Sequence, residues 1–235
     1  MISGKLKEAV EGHATLNDVS EGTFARFARW LYTGDYRPAA PLVDGVTVEW
    51  VEKPPSPTDW AGVSWVNWNP KKGKKKEDIS LQTALQERFM NIRLNGDDIY
   101  GGEAIGFTRP NESPDEDFTP VLLSHAEIYV FADKYDIQNL KKLAMSKLKH
   151  TLTVFTLYPS RVGDVLALLR YVWSQTAPAR PSEYNIRTML MFYVMIEVGI
   201  LNDRDEFREM LAEDTEMMRE FLAVLTFNIY KRMGH

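Results

Sequence analysis

The sequence predicts a mainly α protein. Two observations carry that prediction. Several long stretches repeat apolar residues at i, i+3, i+4 and i+7, the spacing of one helix face. Against them stands a single short segment with strand character, His13–Leu16. The composition fits a folded chain. Of 235 residues, 44% are hydrophobic and 26% charged, ordinary proportions for a globular protein and enough length to bury a core.

The first helix is expected from Ser20 to Thr33. Ser20 offers an N-cap oxygen and Glu21 an acidic first turn. Phe24, Phe27, Ala28 and Leu31 then share a face, and Gly34 supplies the left-handed residue that ends it. In the C-terminal half, Leu122, Ala126, Tyr129 and Val130 mark a helix running to Asp133. Tyr135-Asp136-Ile137 is a short connector. Leu140, Leu143, Ala144 and Leu148 mark the next helix. Val162, Val165, Leu166, Leu169, Val172 and Trp173 form a regular stripe. Ile186 to Val198 is apolar almost all round, the pattern of a helix buried on most sides. Two amphipathic stretches follow, around Phe207, Met210 and Leu211, and around Met217, Phe221, Leu222 and Leu225.

Between these halves, residues 37–120 hold nine of the twelve prolines and seven of the fourteen glycines. Both residue types break regular elements, so this region is expected to be a long insertion, either largely disordered or carrying a small element of its own, with any β-structure confined to short pieces here and near His13–Leu16. It carries one embedded stripe, Leu81, Leu85, Phe89 and Ile92, which predicts a short helix near 80–92. Trp60, Trp65 and Trp68 precede the basic run Lys71–Lys76. Tryptophan adds large apolar area and is rarely left in plain linker, so these rings are expected to dock on the helical body or on a partner. The lysine run is expected to be a solvated loop.

Composition and motifs narrow the function. Cysteine is absent, which excludes disulfides and thiol chemistry. The formal net charge of −5 makes nucleic acid and anionic membrane poor partners on electrostatic grounds. No segment has the apolar run of a membrane span or signal peptide, so a cytoplasmic or nuclear location is expected. The histidines are His13, His125, His150 and His235, none at metal-motif spacing, and Glu127 at i+2 faces away from His125 on a helix. Phosphate-binding glycine loops and nucleophile elbows are missing. No catalytic, cofactor-binding or metal-ligating residue is therefore assigned, and no cofactor is expected.

Two segments point to a family. Leu16–Tyr36 reads LNDVSEGTFARFARWLYTGDY. Leu122–Leu152 contains A-x-x-Y-x-x-A-D-K-Y from Ala126 to Tyr135. In this order they resemble the second half of the BTB/POZ domain, over about fifty residues. The long insertion and the helical tail, with LLRYVWSQT from Leu168 to Thr176, resemble BTB-containing proteins of filamentous fungi. The resemblance implies three parts. Residues 1–36 and 121–152 would form a partial BTB/POZ-like helical core, 37–120 the insertion, and 153–235 a helical extension. It implies that Met1 falls where the domain's third helix is already under way, so that the first half-domain is missing.

The function implied is a non-enzymatic protein–protein interaction module, an adaptor or scaffold, acting on a protein partner or a second copy. The alternative is a substrate adaptor of a cullin-based ubiquitin ligase. Ser3 stands where the family's cullin-binding glutamate is expected, which weakens that alternative. The aromatic and apolar residues expected to make the contact are Phe24, Phe27, Trp30, Leu31, Tyr129 and Phe131, with Trp60, Trp65 and Trp68 from the insertion.

Overall fold

The computed structural model describes residues 18–48, 83, 85, 86, 89, 109–178 and 185–232, with side chains as far as 226. The described fold is mainly helical, with one small open sheet. The chain divides into two compact units, Met1–Tyr36 and Arg37–His235.

In the first unit, α1 spans Glu21–Thr33. Its ends follow from local chemistry. The Ser20 hydroxyl accepts from the Thr23 N–H at 3.1 Å, satisfying one of the backbone donors a helix start leaves over. Gly34 takes φ 74° and donates its N–H to the Trp30 carbonyl at 2.8 Å. A side chain at that φ would strain the cap. The Thr33 hydroxyl bonds back to the Arg29 carbonyl at 2.9 Å.

In the second unit the insertion carries short strands. Leu42–Val43 (β1) and Val46–Thr47 (β2) form an antiparallel hairpin, and Glu116–Asp117 (β3) pairs on the other side of β1. The turn is Asp44-Gly45, both at positive φ, 51° and 77°. Asp-Gly in a two-residue loop suits the twist of the flanking strands. The two ends of the insertion thus meet in one sheet. Side chains fasten them to the helices. The Ser124 hydroxyl accepts from Ala39 N–H at 3.0 Å. Asn111, 4% exposed, exchanges two hydrogen bonds with the Thr156 backbone at 2.8 and 2.7 Å. Arg109 makes a two-pronged pair with Glu116, at 3.0 and 3.1 Å.

Of the predicted insertion helix, Thr83, Leu85, Gln86 and Phe89 are helical, and Leu85 and Phe89 are buried. Leu81, Ile92 and the remaining residues of that stretch lie outside the described residues, as does His13–Leu16.

The helical body follows. Helices α2 (Thr119–Lys134) and α3 (Gln138–Val154) pack on each other, and α2 also packs across α4 (Val162–Gln175). Their junction is the Tyr135-Asp136-Ile137 connector. Asp136 takes φ 54°, and the Ile137 N–H closes on the Ala132 carbonyl at 2.8 Å. A short 3₁₀ turn, Pro159–Arg161, precedes α4. Then come α5 (Ile186–Ile196), α6 (Val198–Asn202), α7 (Asp205–Glu213) and α8 (Thr215–Arg232). Every residue of α5 except Thr188 is buried, as its all-round apolar sequence requires.

Two charged clusters tie the helix ends. Asp164, at the start of α4, accepts from Phe118 N–H at 3.0 Å, from the Thr119 hydroxyl at 3.1 Å and from Arg161 Nε at 3.1 Å. A side chain of α4 therefore satisfies backbone and hydroxyl donors at the start of α2. Burial raises the Asp164 carboxyl, and Arg161 and the Phe118 N–H draw it back down. Arg187 of α5, 2% exposed, lies over the Trp173 ring at 5.1 Å. It bonds the Trp173 carbonyl at 3.1 Å, the Thr176 hydroxyl at 3.0 Å and the Thr176 carbonyl. It also pairs with Glu216 and Glu220 of α8, the latter at 3.0 Å. One guanidinium joins α4, α5 and α8.

Candidate interaction surface

Among the described residues, several large apolar side chains of α1 are exposed. Phe24 is 48% exposed, Leu31 60% and Tyr32 90%. Ala28 lies between them, half-buried. Positions 24, 28, 31 and 32 are i, i+4, i+7 and i+8, so they form a continuous stripe. Phe27 and Trp30 are half-buried beside it. Their rings stack at 6.1 Å with 25° between planes, and Phe24 lies 6.1 Å from Phe27 at 58°. These separations are normal for attractive aromatic pairs. The helix therefore presents an ordered row of rings. Each large apolar side chain left in water forgoes roughly 1.5–3 kcal/mol.

The other sequence-predicted residues fall elsewhere. Tyr129 and Phe131 are 3% and 7% exposed and belong to the packed face of α2. The Tyr129 hydroxyl is hydrogen-bonded by the Ile186 backbone and by Lys141, and burial raises its pKa. Lys141 Nζ sits 5.3 Å over the same ring and pairs with Asp133 at 2.6 Å. Phe131 packs 4.7 Å from the Tyr135 ring. These two residues were expected to make the contact because, in the resembled domain, other residues would cover part of this stretch of helix. Packing on α3 and α4 buries them. Trp60, Trp65, Trp68, Lys71–Lys76 and Ser3 lie outside the described residues. Tyr32 was missed by sequence reasoning, although its position one turn beyond Ala28 on the same stripe is the signal that finds it.

His125, His150 and Glu197 are buried or partly buried. His125 is 1% exposed, with its Nε2 3.2 Å from the Thr151 hydroxyl. Burial, with Lys149 and Lys147 nearby, lowers His150 to about 4. Burial raises Glu197, at the α5–α6 junction, to about 7. Among the described residues, no group of three or more His, Asp or Glu side chains is placed to hold a metal ion. No helix among them is long and apolar enough to cross a membrane.

Together these features define a mainly helical protein with a small open sheet and an exposed aromatic helix. Comparisons with protein-family models, with curated proteins and with solved structures find no match.

Proposed function

We propose that this chain is a non-enzymatic protein–protein interaction module, a BTB/POZ-like domain carrying a helical extension, that works as an adaptor or scaffold. The observation that carries the reading is the exposed Phe24–Leu31–Tyr32 stripe on a helix whose two ends are firmly capped. A preordered helix loses little conformational freedom when a partner covers it. Aromatic residues and arginine dominate interface energetics, and this helix holds Phe24, Phe27, Trp30, Tyr32, Arg26 and Arg29. The mode is an amphipathic helix laying its apolar face against an apolar surface of another protein chain. Family resemblance supports the same class, because Leu16–Tyr36 is one of the two segments that carry it.

The test is comparative. The chain and its Phe24→Asp/Leu31→Asp variant are used as matched baits, with circular dichroism confirming equal helix content. A protein partner, including further copies of the chain, is expected to be retained by the parent and lost by the variant. Equal retention by both would overturn the assignment of the contact to α1.

A further inference from the structure

We draw no further inference here: the strongest candidate, the partly exposed Met218–Leu222–Leu225 stripe on the outer side of α8, is an unpartnered apolar face, and nothing in the structure shows what covers it.

Discussion

The Phe89 ring lies 6.1 Å from the Tyr193 ring, inclined by 50°. Both side chains are fully buried. A residue of the proline-rich insertion is thus anchored on α5, in the centre of the helical body. Phe89→Ala should cost about 3–5 kcal/mol, the usual loss for a buried phenylalanine. Tyr193 should behave differently. Its hydroxyl is buried with no hydrogen-bond partner among the described residues, so Tyr193→Phe removes a desolvated polar group and keeps the ring. Urea denaturation should show unchanged or slightly higher stability for Tyr193→Phe. A loss above about 1 kcal/mol for that variant would mean that the hydroxyl is bonded after all.

Arg187 holds α8 against the body through Glu216 and Glu220. Removing one side of a buried ion pair leaves the other uncompensated, at about 3–5 kcal/mol. Glu216 is half-exposed and recovers solvation, so Arg187→Ala is expected near the lower end. Hydrogen exchange should speed up first in α8 and in the last turn of α4, where the Trp173 and Thr176 carbonyls lose their donor. Uniform exchange across the body would contradict a local role for this residue.

Glu197 and His150 give stability opposite pH slopes. Glu197 is raised from 4.5 to about 7. Its buried carboxyl is neutral and unpenalised below pH 4.5, and stability is lost as pH rises through 7. His150 is lowered from 6.5 to about 4. Its contribution is complete above pH 6.5 and is lost as pH falls toward 4. Glu197→Gln should therefore gain on the parent as pH climbs from 4.5 to 7, and His150→Gln should gain as pH drops from 6.5 to 4. Each effect is on the order of 1 kcal/mol after solvent screening. Melting temperatures across that range check both, and pH-independent differences would refute the assignments.

Helices were legible in the sequence because their signals are local. Ser20, Gly34 and the 24–27–31 spacing lie within a few turns of one another, and α2, α3, α4 and α5 each carry their own apolar stripe. The sheet was harder to see. Asp44-Gly45 between Val43 and Val46 is a hairpin signal, but the surrounding prolines obscured it. β3 is Glu116–Asp117, two acidic residues paired with Leu42 and Val43 across more than seventy positions, and no local pattern marks such a strand. The surface was legible only in part. Exposure separates Phe24 and Leu31 from Tyr129 and Phe131, and exposure depends on which helices pack beside each residue. Arg187 was missed for a similar reason, since its partners lie on α4 and α8.

The central claim is that α1 presents its aromatic stripe for a protein contact, and light scattering after size exclusion, with a hydrophobic dye, tests it most directly. The account predicts that the purified chain self-associates with rising concentration or binds the dye, and that Phe24→Asp/Leu31→Asp abolishes both while helix content holds. A parent chain that stays monomeric over a wide concentration range and binds no dye would contradict it.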